Sequence, residues 1–279
     1  MIFRESCLPP GWYPRERAEI KEFLAPYEKR PPGTAALTAI APHAGWYYSG
    51  ATAALAIASL DKKAETVAVI GGHLPSGMPV LSAAEDGVKT PLGTIKIDSE
   101  LRCEFEKELL EAGKTVRPER YNDNTVEVLL PMVHYFFPCS ELLWLRFPAE
   151  QSSFEAGKLL YKAAKTLGRR IVVLASADLT HYGENYGFSP KGRGKPALEW
   201  VKNVNDAAFI SAILEGSSNL VLERAEKDFS SCSAGAVLGA LGFAASLEKN
   251  AKLLDYRTSA DVSGNDAPAS FVGYAAIVF

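Results

Sequence analysis

The chain is poor in histidine, with four in 279 residues, and has the same small number of cysteines. Cys7, Cys103, Cys139 and Cys232 show no Cys-x-x-Cys spacing, so a reducing, cytoplasmic setting is the default expectation. No apolar run approaches the length of a transmembrane helix, which argues against a membrane protein. The N-terminus, Met1-Ile2-Phe3-Arg4-Glu5, has no long apolar stretch, so no signal peptide is expected. Charge of one sign is scarce as well. Thirty Lys and Arg against 33 Asp and Glu leave a net charge of -3, and the basic residues form no stripe, so nucleic acid is not an expected partner. A Gly-x-Ser-x-Gly elbow and a Gly-rich phosphate loop are both absent. Gly113-Lys114 and Gly194-Lys195 lack the P-loop spacing.

What is present is apolar residue in quantity, 47% of the chain, enough for a sizeable core. Arg15 to Leu24 reads as a short amphipathic helix, and Pro31-Pro32-Gly33 as a loop. Ala36–Ala41 and Thr66–Ile70 read as buried strands. They flank an Ala- and Leu-rich helix from Gly50 to Leu60 that Ser49 would cap. That βαβ unit predicts two parallel, neighbouring strands. Short β segments follow at Val80–Ser82 and Thr90–Ile97, then a helix from Ser99 to Glu111 capped by Asp98. Pro131 must kink or split the apolar helix from Thr125 to Phe137. Leu142–Leu145 and Arg170–Ala175 are further core strands, with a helix from Phe154 to Leu167 between them. Phe188–Pro196 is a loop, Leu198–Leu214 is helical, and an Ala/Gly/Leu helix after Cys232 reaches about Leu247. Lys252–Ser259 and Ser270–Phe279 close the chain as strands. The expectation is a single α/β domain over residues 1–279, with a mainly parallel sheet flanked by helices.

Three of the histidines follow strand-like runs: His43 after Ala-Pro, His73 after Gly-Gly, and His181 in Ser-Ala-Asp-Leu-Thr-His-Tyr. Each would stand at a strand's C-terminal end, the ligand-binding edge of an open α/β sheet. Imidazole is the commonest metal-coordinating side chain, so the three predict a metal site. His134 lies inside an apolar helix and reads as a packing residue. Asp178, three residues before His181, suits a histidine's hydrogen-bond partner or a proton acceptor, and equally a turn cap. Glu127 could complete a set of histidines plus one carboxylate, or simply complement a helix dipole. Cys232, just before a helix, has the position of a reactive thiol, although a buried small side chain is the alternative.

Several motifs in order resemble the Memo family, whose bacterial and archaeal members are called AmmeMemoRadiSam system protein B. They are Gly11-Trp12-Tyr13-Pro14, Pro42-His43-Ala44-Gly45 with Tyr48-Ser49-Gly50, Thr90-Pro91-Leu92-Gly93 with Asp98, Glu127-Val128 with Leu130-Pro131, Ser176-Ala177-Asp178-Leu179-Thr180-His181-Tyr182, and Cys232-Ser233-Ala234-Gly235. The resemblance implies the fold of class III extradiol dioxygenases. It also implies metal ligation by His43, His73 and His181, with Asp178 and Cys232 lining the pocket, and iron or copper with a redox role. The chain departs from the family pattern at Asn124, where a histidine is usual, and in the short Gly71-Gly72-His73 segment. Two other functions fit the same residues. One is an Fe(II) ring-cleaving dioxygenase using Glu127 as the carboxylate. The other is a non-enzymatic adaptor that binds a peptide or small molecule against Trp12, Trp46, Tyr47 and Tyr48.

Overall fold

Four largely apolar runs leave almost nothing exposed, as strands covered on both faces must. The computed structural model describes residues 1–28 and 35–279, so the expected Pro31-Pro32-Gly33 loop lies outside the described residues. In chain order the elements are β1 (Phe3–Arg4), α1 (Arg17–Leu24), β2 (Thr38–Ala41), α2 (Trp46–Ala58), β3 (Thr66–Leu74), β4 (Val80–Ala83), β5 (Gly87–Thr90), β6 (Gly93–Lys96), α3 (Ser99–Glu111), β7 (Val116–Glu119), α4 (Asn124–Glu127), α5 (Leu130–Phe136), β8 (Glu141–Pro148), α6 (Ser152–Thr166), β9 (Ile171–Ser176), β10 (His181–Gly183), α7 (Lys195–Trp200), α8 (Asp206–Leu214), α9 (Ser218–Asp228), α10 (Ala234–Ala245), β11 (Lys252–Thr258), α11 (Ser259–Ser263) and β12 (Ser270–Val278).

One large sheet runs β10-β12-β2-β9-β3-β8-β4-β7, with β11 also paired to β12. Its centre, β2-β9-β3-β8, is parallel, while β12 joins β2 and β4 joins β8 in antiparallel fashion. A small sheet, β1-β5-β6, stands beside it. The α/β class with a central sheet flanked by helices is therefore as expected. The pairing within the βαβ unit is not. β2 and β3 are parallel, but β9 lies between them. All six residues of β9 are buried, which only a strand with a neighbour on each edge and a helix layer on each face achieves.

The strands alternate. Val67 and Val69 pack with Ile57 of α2 and Val133 of α5, whereas Ala68 and Ile70 pack with Leu160 of α6 and Val237 of α10. α10 is buried all round from Ala234 to Ala244. Its glycines admit that. A Cβ on Gly242 would fall 1.9 Å from the Phe154 carbonyl oxygen, and one on Gly157 of α6 would fall 2.0 Å from that of Gly239. This close crossing fixes the loop that carries Cys232.

Several boundaries differ from the sequence reading. α2 starts at Trp46, one turn earlier than expected, with Gly45 as N-cap. Ser49 is thus inside the helix, and its hydroxyl donates to the Ala44 carbonyl. Pro131 splits the next apolar helix into α4 and α5, as its missing N–H requires. The stretch expected as one helix from Leu198 to Leu214 is α7, a π-helical turn at residues 201–205, and α8. α9 was not anticipated. Among the described residues no helix is long and apolar enough to cross a membrane.

Candidate metal centre

His43 follows β2 across Pro42 and is 2% exposed. Its backbone N–H donates to Asp178 Oδ1 at 2.7 Å, and its Nδ1 lies 3.0 Å from Ser176 Oγ. With Nδ1 occupied, Nε2 faces the cleft, 3.3 Å from Cys232 Sγ and 3.9 Å from Asp178 Oδ2.

His73 stands in β3 where the register with β8 slips between Gly71 and Leu74, and its φ is 57°. A side chain in that left-handed region costs about 1–2 kcal/mol, so the surroundings must hold it. Arg146 of β8 does so. Its Nε donates to the Gly72 carbonyl at 2.9 Å and its Nη2 to the His73 carbonyl at 3.4 Å. Asp123, the N-cap of α4, lies 3.5 Å from His73 Nδ1 and 3.2 Å from Arg146 Nη2. The Gly-Gly pair lets β3 approach α10 and α4. A Cβ on Gly72 would meet the Ser233 side chain at 2.4 Å, and one on Gly71 would meet Thr125 Oγ1 at 2.3 Å.

Cys232 precedes α10 on the far side of these rings. One donor atom each from His43, His73 and Cys232 lies within 4.8 Å of the other two, and among the described residues no other three His, Cys, Asp or Glu side chains converge so closely. The His43 and His73 rings meet edge to face, with centroids 5.0 Å apart. Two imidazoles and a thiolate are a donor set that zinc, copper and iron accept, so the residues present fit a metal ion.

Electrostatics in the cluster are coupled. Burial alone would raise the Cys232 pKa, but His43 and His73 outweigh it and hold the thiol well below its ordinary value. Burial favours the neutral form of each ring. Asp178 and Cys232 nevertheless raise the His43 pKa, and hydrogen bonding to Asp123 and Cys232 pushes His73 up to about 10. Asp178 is 3% exposed, and burial lifts its carboxyl above the usual range despite the pull of His43.

His181 opens β10 on another wall of the same cleft, whose volume is about 480 Å³. Its Nδ1 is 3.1 Å from the Leu179 carbonyl, and its Nε2 is 4.0 Å from Asp178 Oδ2. The tight trio therefore has Cys232 where the sequence reading expected His181, with His181 linked to it through Asp178. Glu127 is placed elsewhere. Its carboxylate accepts from the backbone N–H groups of Cys7 and Leu8 and from the Tyr13 hydroxyl, so it anchors the N-terminal segment instead of facing the cleft. Trp46 is also withdrawn from the expected aromatic wall. It is buried and its indole N–H donates to the Val128 carbonyl, while Trp12 and Tyr48 do line the cleft. His134 packs by the β5–β6 hairpin, with Nδ1 2.7 Å from Thr90 Oγ1.

Asp123 and Arg146 escaped the sequence reading. Their signals were present: an Asp one residue before a helix, and a lone arginine in the apolar run Leu142–Phe147.

With this geometry in view, the comparisons with known proteins agree. The Memo-like protein family matches residues 4–278. A MEMO1 family protein of Pyrococcus abyssi is 34% identical over 252 residues, covering 86% of this chain and 85% of its own. One from Archaeoglobus fulgidus is 28% identical over 280 residues and covers 99% of both chains. Among solved structures, an uncharacterized protein from Escherichia coli K12 superposes with a TM-score of 0.50 at 13% identity, over 87% of this chain and 99% of its own, a likeness of fold. The chain belongs to the Memo-like family.

Proposed function

We propose that this protein binds a single metal ion through His43, His73 and Cys232, and that the centre is redox-active, with iron or copper as its ion. The observation that carries this is the convergence of those three donors within 4.8 Å at the strand-end cleft. His181 is a further donor candidate across Asp178. When bound, such a metal supplies electron exchange and Lewis acidity at the cleft floor. The chain's own groups have distinct tasks. Asp123 orients His73 through Nδ1, and Ser176 does the same for His43, so both rings turn Nε2 inward. Asp178 holds the His43 backbone, and its raised pKa suits it to take up and return a proton beside the metal.

Metal analysis of untagged protein tests the binding. We expect one ion per chain in the wild type and in His134→Ala, and loss of most of it in His43→Ala, His73→Ala and Cys232→Ser. His181→Ala should weaken binding less. Equal metal content in all of them would overturn the assignment. Asp178→Asn should keep most of the metal yet suppress oxygen consumption with a reductant, and unchanged consumption would remove Asp178 from proton transfer.

A dioxygenase reading draws support from one arrangement. Asp178 Oδ2 lies 3.9 Å from His43 Nε2 and 4.0 Å from His181 Nε2, two histidines around one carboxylate. Asp178 would then replace Glu127 in that role. Detection of a ring-cleaved product from a catechol panel on Fe(II)-loaded protein separates the two, because only the dioxygenase reading requires ring cleavage.

A further inference from the structure

Among the described residues, the walls of the cleft above the cluster carry no lysine, arginine or glutamate. Apart from the histidines and tyrosines, Asp178 is the only ionisable side chain among the described residues there. Five aromatic residues, Trp12, Tyr48, Tyr186, Phe271 and Tyr274, and three amides, Asn124, Asn185 and Asn265, line it instead. Neither Asn124 nor Asn185 gives its side-chain amide a hydrogen bond to another described residue. Tyr186 sets its ring edge to face against His181, with centroids 5.0 Å apart, so an aromatic surface continues down to the cluster. Behind His73, Arg146 is already paired with both Glu119 and Asp123. Among the described residues an anionic ligand would find no lysine or arginine on these walls, and a cationic one no carboxylate besides Asp178, which already accepts from the His43 backbone. Either would lose hydration without a partner charge, which is a heavy cost.

We infer that the cleft selects an uncharged aromatic ligand that carries amide or hydroxyl groups, stacking on Trp12, Tyr48 and Tyr186 while Asn124 and Asn185 bond its polar edge. The inference rests on the cleft reading above and names its substrate class. Pockets of this kind gain specificity from a few placed polar groups in an otherwise aromatic lining. Rejection of the wrong charge is as much a part of that specificity as recognition of the right ring.

Three probes sharing one ring test it by isothermal titration: N-acetyltyrosinamide, which is neutral, its O-phosphate, and tyramine, a cation. Each is titrated into zinc-loaded and metal-free protein. The neutral probe should bind with a Kd on the order of a millimolar, and at least tenfold more tightly than either charged one in both states. Asn124→Leu and Asn185→Leu should each weaken it severalfold, and Asn124→Lys should turn the preference toward the phosphate. A phosphate or tyramine bound as tightly as the neutral probe would overturn the inference, as would no binding of the neutral probe in either state. Zinc titration of the same preparation separates the two readings. Failure of zinc to bind counts against the metal centre alone, because the neutral walls are present in either state.

Discussion

At the scale of the residue, His73 is the position on which the most interactions converge. A non-glycine side chain at φ 57° inside a strand is held by two carbonyl bonds from Arg146 and one ring contact from Asp123. Removing the carboxylate should therefore matter although Asp123 never reaches the metal. We predict that Asp123→Ala lowers metal affinity by roughly 10- to 100-fold, the usual cost of losing a ligand's outer partner. Competition titration against a chelator measures it, and an unchanged constant would remove Asp123 from the site. The same residue gives a pH signature. In metal-free protein Asp123 and Cys232 hold the His73 ring protonated up to about pH 10, so metal must displace a proton to bind. Affinity should rise about tenfold per pH unit between pH 7 and 9. A flat profile would show the ring neutral throughout. Sequence alone makes His43 conspicuous because the proline and glycine beside it mark a strand exit, and Cys232 because it stands just before a helix after a serine pair. Asp123 read only as a helix cap, since nothing local links residue 123 to residue 73. That link is a tertiary consequence of Gly71 and Gly72 admitting α4 against β3.

At the scale of the element, two features make separate predictions. The first is the crossing of α6 and α10, built on glycine. Gly157→Ala pushes a methyl into the Gly239 carbonyl, and backbone cannot yield as a side chain would. It should cost on the order of 1–3 kcal/mol by overpacking and displace the Cys232 loop. A urea midpoint equal to that of the wild type would contradict the close packing. The second is Asp206 at the start of α8, fully buried. It accepts from the Thr180 N–H and hydroxyl and from the Tyr256 hydroxyl, and among the described residues no cation is bonded to it. Burial raises its carboxyl to about 6. The folded state thus binds this proton more readily than the unfolded chain does, near pH 4. Its charge costs on the order of 3 kcal/mol above pH 6, a cost that fades as pH falls from 6 towards 4. Asp206→Asn should flatten that part of the pH–stability curve, and an unchanged slope would assign the slope to other groups. The element pattern was largely legible in the sequence, because periodicity and caps are local. The start of α2 differs because Ser49 is the local residue suited to an N-cap, while tertiary packing of Trp46 against Tyr13 and Phe23 draws the preceding turn into the helix. The place of β9 was missed because strand order is decided by burial on both edges, which no single segment encodes.

At the scale of the whole molecule, a parallel sheet centre brings β2, β3 and β9 to one edge, and that edge carries His43, His73 and Asp178. The loop before α10 then supplies Cys232 and β10 supplies His181, so residues spread over 190 positions meet at one cleft. The sequence indicated the edge but not which three donors are closest, since that depends on where α10 ends against β3. The central claim is that Cys232 joins two histidines in holding a metal. Cobalt(II) titration followed by absorption spectroscopy tests it most directly, because a thiolate ligand gives a charge-transfer band that imidazoles alone do not. We predict that band in the wild type and in His181→Ala, its loss in Cys232→Ser, and sharply weakened cobalt binding in His43→Ala and His73→Ala. A wild-type cobalt complex with no thiolate band, or a band that survives in Cys232→Ser, would contradict the account.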